Sequence, residues 1–286
     1  MRPILVIGAA GMLGRDLMDE LASRKLISIG MDVGECDITN ARACVEAMKS
    51  CRPSSVINCA AYTDVNRAES EQEKAFEVNG AGAGNVARAC AEAGARCLYI
   101  STDYVFDGHK DAPYVESDAA NPMNVYGASK LEGERQTAGA TPNHVIARAS
   151  WLYGRHGKNF VTTILAAARR GVPLRVVDDQ RGAPTWTRDL ARLLADLACH
   201  DATGIFHAPN SGECTWFGFA REIFELSGVQ PVSLASQSAA EYVSPAARPA
   251  NSRLADTRLA ALGIAPMPDW ENALTGFLRE IGESRA

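Results

Sequence analysis

The stretch Ile4-Leu-Val-Ile-Gly-Ala-Ala-Gly-Met-Leu-Gly14 decides the fold. Four apolar residues, a strand's worth, run into Gly8, Gly11 and Gly14, and an amphipathic pattern over 12–22 begins inside the glycine spacing. Without side chains there, backbone N–H groups can approach a pyrophosphate at the positive end of the helix, so a dinucleotide is expected at this strand-turn-helix junction. The spacing departs from the commoner G-x-G-x-x-G, and three glycines can also be plain turn chemistry; the strand before and the helix after are what give them weight.

Outward from that stretch the alternation continues. Short β-branched runs at 26–30, 55–58, 96–101 and 144–149 are separated by helical patterns at 41–50, 72–93 and 126–137. This βαβ rhythm predicts an α/β fold, a doubly wound parallel sheet of the Rossmann type. Past 150 the rhythm loosens into helices near 158–170, 187–199 and 215–227, a strand at 204–207, and a Pro- and Ala-rich passage over 231–250 read as a long ordered loop over a ligand. The expected division is a dinucleotide-binding domain of 1–150 plus about 184–209, and a smaller C-terminal α/β substrate lobe of about 151–183 plus 210–286.

Composition excludes several classes. With 286 residues, 47% of them hydrophobic and 22% charged, the chain can bury a sizeable core and has no sign of disorder. A net charge of -5 with no run of Lys or Arg argues against nucleic acid and anionic membranes as partners. The run Ile4–Ile7 is too short for a signal peptide or membrane span, which places the expected protein in the cytoplasm. Eight cysteines without a C-x-x-C pair read as buried reduced thiols, and five scattered histidines offer no zinc spacing.

The glycines predict where further ligand contacts fall. Asp32 closes the second strand roughly 20 residues beyond the glycine turn, where a carboxylate meets the adenosine ribose. It favours NADH by repelling a 2′-phosphate, yet Arg15 or Arg42 can supply a cation, so NADPH stays open as well. Asp37-Ile38 and the small pair Ala60-Ala61 follow the second and third strands at the carboxyl edge, where ligands of open parallel sheets collect. In Tyr126-Gly-Ala-Ser-Lys130 a phenol and an ammonium share a helix face. A phenol titrates near 10, and an ammonium held beside it would favour the phenolate, suiting Tyr126 to acid–base work. The fourth strand delivers Ser101-Thr102-Asp103-Tyr104 to the same edge, where Thr102 can orient a reacting carbonyl.

With Gly8, Gly11 and Gly14, then Thr102, then Tyr126 and Lys130 in that order, the chain resembles the extended short-chain dehydrogenase/reductase superfamily. Within it the chain is most similar to the dTDP-4-dehydrorhamnose reductases, through Asn58 to Asp64 with Ala68-Glu-Ser70, Ser101 to Asp107, Asn124 to Gly127, Arg148 to Tyr153, Asp179 to Thr185 and Arg248 to Leu254. The resemblance spans nearly the whole chain. It implies an NADPH- or NADH-dependent reduction of the C4 ketone of a dTDP-linked 4-keto-6-deoxy sugar, with Tyr126 as proton donor, Lys130 holding the nicotinamide ribose as well as tuning Tyr126, and Thr102 bonding the substrate oxygen.

The same resemblance assigns Met12, Leu13, Tyr62, Asn79 and Ser101 to the cofactor. It gives the sugar nucleotide Thr102, Asp103, Arg148, Trp151 and Tyr153, and its diphosphate Arg248 and Arg253, whose guanidinium forks match phosphate oxygens. Dehydratases of the superfamily carry Thr-Asp-Glu at this strand end; Tyr104 stands in place of that Glu, which favours a reductase over an elimination. Another nucleotide-sugar ketoreductase or a 4-epimerase stays open, as does a non-catalytic subunit resembling the β subunit of methionine adenosyltransferase. Some relatives dimerise through carboxylates gathered around Mg²⁺, and Asp16, Asp189 and Glu280 stand roughly where those would fall. Helix-surface carboxylates are ordinarily just solvated, so a homodimer is in keeping with the resemblance but no metal is assigned.

Overall fold

A computed structural model describes residues 2–285. In chain order the first half runs β1 (Ile4–Ile7), α1 (Met12–Ser23), β2 (Ser28–Met31), α2 (Ala41–Cys51), β3 (Ser55–Asn58), α3 (Val65–Ala68), α4 (Gln72–Phe76), a π-turn (Glu77–Gly82), α5 (Ala83–Ala93), β4 (Arg96–Thr102), α6 (Val125–Ala140) and β5 (His144–Ala149). It continues with β6 (Leu152–Tyr153), α7 (Phe160–Arg169), β7 (Leu174–Val177), β8 (Arg181–Gly182), β9 (Thr185–Trp186), α8 (Thr187–Cys199), β10 (Gly204–His207), β11 (Cys214–Thr215), α9 (Trp216–Ser227), β12 (Leu234–Gln237) and α10 (Trp270–Glu280).

Six parallel strands form the central sheet in the order β10-β5-β4-β3-β1-β2. Both faces are covered, so its inner strands are buried at nearly every position, and their alternate apolar residues divide between two cores. Ile4, Val6, Ile57, Leu98, Val145 and Ala147 pack beneath α1 and α8, while Leu5, Ile7, Val56 and Cys97 pack beneath α2 and α5. The chain leaves β1 for β2 on one side and returns to β3 on the other, so the switch point of the sheet lies between β1 and β3, where ligands of doubly wound folds bind. A third cluster gathers α7, α9 and α10 around Tyr153, Trp186, Phe219, Trp270 and Phe277.

Several expectations needed correction. The passage 231–250 is not loop throughout: β12 lies within it and pairs in parallel with β7, a strand the sequence reading also missed. Both strands are only partly buried and short, so neither shows the alternation that marks a strand. The helix α10 was missed as well, although Asp269 caps it and Trp270, Leu274 and Phe277 form its buried stripe. The second strand begins at Ser28 because the Leu26 N–H still bonds the Leu21 carbonyl at the end of α1. Cysteines 36, 44, 90 and 97 are buried, whereas Cys199 is exposed.

Candidate active site

The glycine turn is built by contact. A Cβ on Gly14 would lie 2.1 Å from the Gly8 carbonyl oxygen, and one on Gly8, whose φ is +79°, would lie 2.7 Å from the Ala60 nitrogen. Only glycine lets the β1–α1 turn fold onto itself and onto the end of β3. Asp32 finishes the cradle: its carboxylate accepts from the Ala10 N–H at 2.9 Å and from the Val33 N–H at 2.8 Å. Arg15 bonds the Ala10 carbonyl at 3.0 Å, while Arg42 is paired with Glu46 on the outer face of α2. A cavity of about 480 Å³ opens here, lined by Gly8, Gly11, Asp32, Asp37, Ile38 and the Ala60–Ala61 pair. Its backbone donors, acidic edge and apolar floor fit the adenosine half of a dinucleotide.

Gly8, Gly11, Cys59 and Ala61 also line a second cavity of about 540 Å³, so the two are one continuous groove over the switch point. Met12, Leu13 and Gly14 form its near wall; Ser101, Thr102 and Asp103 form its floor at the end of β4; Tyr126 and Lys130 descend from α6. The helix starts where it does because Asn124 caps it, accepting from the Gly127 N–H at 2.7 Å. Gly127 lets it press close, since a Cβ there would lie 2.0 Å from the Tyr104 carbonyl oxygen. The Tyr126 phenol is thereby brought over Thr102.

The electrostatics differ from the expectation in one respect. Burial is the largest influence on Tyr126 and pushes its phenol up to about 12, and the Thr102 hydroxyl is what eases it. Lys130 does not supply the correction, because its ammonium donates to the Ile100 carbonyl at 2.5 Å and sits 4.1 Å from the Tyr99 ring centroid. Burial pulls that ammonium down to about 7, against the charge of Glu134. Asp103 is 2% exposed; desolvation raises its carboxyl to about 7, although Ser252, Thr102 and two backbone N–H groups favour its charge.

Other expected contacts fall outside the groove. Arg148 is buried and turned away from it, forming a two-pronged pair with Glu134 at 2.8 and 2.7 Å. The same carboxylate accepts from the Ser101 hydroxyl at 2.5 Å. Tyr153 belongs to the cluster of α7, α9 and α10, edge-on to Phe277. Arg253 is paired with Glu213 at 2.6 Å. Tyr62 and Asn79 line neither cavity: the π-turn delivers Asn79 so that its buried amide accepts from the Tyr62 N–H at 2.8 Å and donates to the Tyr62 carbonyl at 3.0 Å, bracing the backbone beyond Ala61. Asp16, Asp189 and Glu280 are engaged separately, with Thr187, with Arg192 and Asn210, and with Arg188. Among the described residues Asp16 groups instead with Asp19 and His156.

Trp151 does reach the groove, at φ 46°, its indole stacked on Trp216 with ring centroids 3.7 Å apart. Gly182 leaves room behind it, since a Cβ would lie 2.5 Å from the ring. Trp216, Lys158, Thr63 and Val65 also line the groove and were not foreseen; each is a lone residue in an unremarkable local pattern, placed by tertiary packing. Trp216 opens in turn onto a third cavity of about 350 Å³, walled by Phe160, Ile164, Val176, Tyr242 and Arg248. The Arg248 guanidinium bonds Asn66 Oδ1 at 3.0 Å and Ser244, joining the 244–248 segment to α3 across the groove.

The family model described as the RmlD substrate binding domain matches residues 1–282. A dTDP-4-dehydrorhamnose reductase of Streptomyces griseus is 42% identical over 95% of this chain and 91% of its own length. A dTDP-4-keto-6-deoxy-D-glucose reductase of Streptomyces niveus is 38% identical over 95% of this chain and 94% of its own. Among solved structures, a dTDP-4-dehydrorhamnose reductase of Bacillus anthracis in complex with NADP superposes with a TM-score of 0.94 at 38% identity, covering 98% of this chain and 99% of that one.

Proposed function

This chain belongs to the RmlD substrate binding domain family, and from that premise we propose that it is an NAD(P)H-dependent reductase that converts the C4 ketone of dTDP-4-dehydro-6-deoxy-L-mannose to the alcohol of dTDP-L-rhamnose. The observation that carries this reading is that Thr102, Tyr126 and Lys130 line one cavity continuous with the glycine turn. When bound, the dinucleotide supplies a hydride to the ketone carbon. The glycine turn and the N-terminus of α1 would hold its pyrophosphate, Asp32 its adenosine ribose, and Lys130 its nicotinamide ribose. Thr102 bonds the ketone oxygen and Tyr126 gives it a proton, the phenol being held neutral by burial until then.

The third cavity suits the nucleotide end of the substrate, with Phe160 and Tyr242 for a base and Arg248 for phosphate oxygens once it leaves Asn66. The division into a cofactor unit of 1–150 with 184–209 and a substrate lobe of 151–183 with 210–286 accords with this order along the groove. The reaction is assigned to the cytoplasm, where NAD(P)H and thiols are kept reduced. No helix among the described residues is long and apolar enough to cross a membrane.

A second reading, reduction of a related dTDP-4-keto-6-deoxy sugar, is favoured by the likeness to the Streptomyces niveus enzyme. Loss of nicotinamide absorbance with each keto sugar, and identification of the product, separates the two. A non-catalytic role predicts cofactor binding with no consumption for any of them.

A further inference from the structure

Thr102 has one proton to give and two lone pairs to receive with. The Tyr104 N–H, at 3.2 Å, occupies one lone pair. Asp103 Oδ1 lies 3.0 Å from the same hydroxyl oxygen. A ketone oxygen can only accept, so Thr102 bonds it only if its single proton is free.

We propose that Asp103 sets which way the Thr102 hydroxyl points, so that the acid form of Asp103 donates to Thr102 and frees the Thr102 proton for the substrate ketone, whereas the carboxylate claims that proton for itself. The inference rests on the reductase reading above and adds to it a positioning residue that acts through Thr102. In the acid form Tyr104 N–H and the Asp103 O–H fill the two lone pairs, and the Thr102 O–H is left for the groove, where the Tyr126 phenol and the ketone oxygen stand. In the carboxylate form Thr102 offers the ketone only a lone pair, which repels it. The alcohol product, which can donate, is indifferent to the change.

The surroundings make both forms accessible near neutral pH. Asp103 is buried, and its Oδ2 has no hydrogen-bond partner among the described residues, as suits a carboxyl that is not obliged to stay charged. From the elements packed against it Asp103 faces the Ser252 and Thr102 hydroxyls and the phenols of Tyr104 and Tyr126, with Arg248 facing Tyr104. Lys130 titrates in the same range, so a variant at Asp103 itself is needed to separate the two groups.

The test is the pH profile of kcat/KM for reduction of the keto sugar between about pH 6 and 9, with wild type and Asp103→Asn. An amide does not titrate in this range, so ionisation of Asp103 adds a fall of roughly tenfold per pH unit to the wild-type rate, whereas the variant keeps only the fall that Lys130 contributes and its ratio between pH 6 and 8.5 is at least about tenfold smaller than that of wild type. A falling limb that persists unchanged in the variant overturns the inference and leaves the reductase reading intact; absence of wild-type turnover at every pH overturns that reading first. A second measurement needs no variant. With oxidised cofactor bound, wild-type affinity for the dTDP-linked keto sugar weakens several-fold from pH 6 to 8.5 while affinity for dTDP alone does not, and equal shifts for both ligands, or none, contradict the proposal.

Discussion

Lys130 Nζ donates to the Ile100 carbonyl oxygen at 2.5 Å, one residue before the floor of the groove, and so is anchored to the end of β4 rather than to the Tyr126 phenol one turn away on α6. A buried ammonium with a depressed pKa costs the fold stability while it stays charged, and stability rises with pH wherever the unfolded chain binds a proton that the folded chain does not. Its folded value is about 7 against an ordinary 10.5, so the penalty is full below about pH 7 and is relieved as pH climbs toward 10.5. Lys130→Met therefore removes that rise of stability with pH, measured as Tm between pH 7 and 10, while turnover falls by roughly 10²-fold or more. A variant less stable than wild type at pH 7 would show that the ammonium holds the fold together.

Gly14→Ala tests the turn. Its Cβ would lie 2.1 Å from the Gly8 carbonyl oxygen and 2.8 Å from the Ala9 Cα, both backbone atoms with nowhere to yield. Overpacking of this kind costs about 1–3 kcal/mol, which, if it falls on the binding-competent turn, is roughly 5- to 150-fold in cofactor Kd. Gly34→Ala, with no atom of the described residues beyond its chain neighbours within 4 Å of the added Cβ, is the control and leaves Kd as it is. Fluorescence titration with NADPH measures both; equal affinity of the two variants would mean the turn opens to accept a side chain.

Arg148 and Glu134 form a buried ion pair with side chains 3% and 4% exposed. Removing one partner leaves an uncompensated charge, at a cost of about 3–5 kcal/mol, whereas removing both at similar volume is close to neutral. Arg148→Met lowers Tm sharply, and Arg148→Met with Glu134→Leu recovers most of the loss. Had Arg148 bound the sugar, the single variant would instead raise KM at unchanged Tm.

Asp107 organises the segment after the groove floor: its carboxylate accepts from the His109 N–H, the Tyr114 hydroxyl and the Asn121 amide at 3.1, 2.8 and 3.0 Å. These donors, the His109 N–H foremost, hold its pKa down to about 2 from the ordinary 3.8. A depressed carboxylate stabilises the fold above the unfolded value and ceases to as pH falls through the folded one, so its contribution is complete above about pH 4 and drains toward pH 2. The Tm gap between wild type and Asp107→Ala accordingly narrows over that window; a gap independent of pH would assign the loss to packing alone.

Legibility followed the range of the interactions. The sheet was readable because its inner strands are buried on both faces and therefore read as short runs rich in apolar residues, and the groove because Gly8, Thr102 and Tyr126 each sit at a strand end or helix start that the same patterns locate. Arg148 was misread because it follows the same strand pattern as a ligand would, and only the partner fourteen residues earlier, Glu134, decides that it turns inward. Trp216 and β12 were invisible for the opposite reason: their partners, Trp151 and β7, lie some 60 residues away in sequence, beyond any local periodicity.

The measurement that tests the central claim most directly is the absorbance of NADH and of NADPH when purified wild type and Tyr126→Phe meet dTDP-4-dehydro-6-deoxy-L-mannose, with the product identified. The account predicts consumption by wild type yielding dTDP-L-rhamnose, and a fall of roughly 10²- to 10⁴-fold in Tyr126→Phe with cofactor binding retained. No consumption by wild type with either cofactor bound, or near-wild-type turnover by Tyr126→Phe, would contradict it.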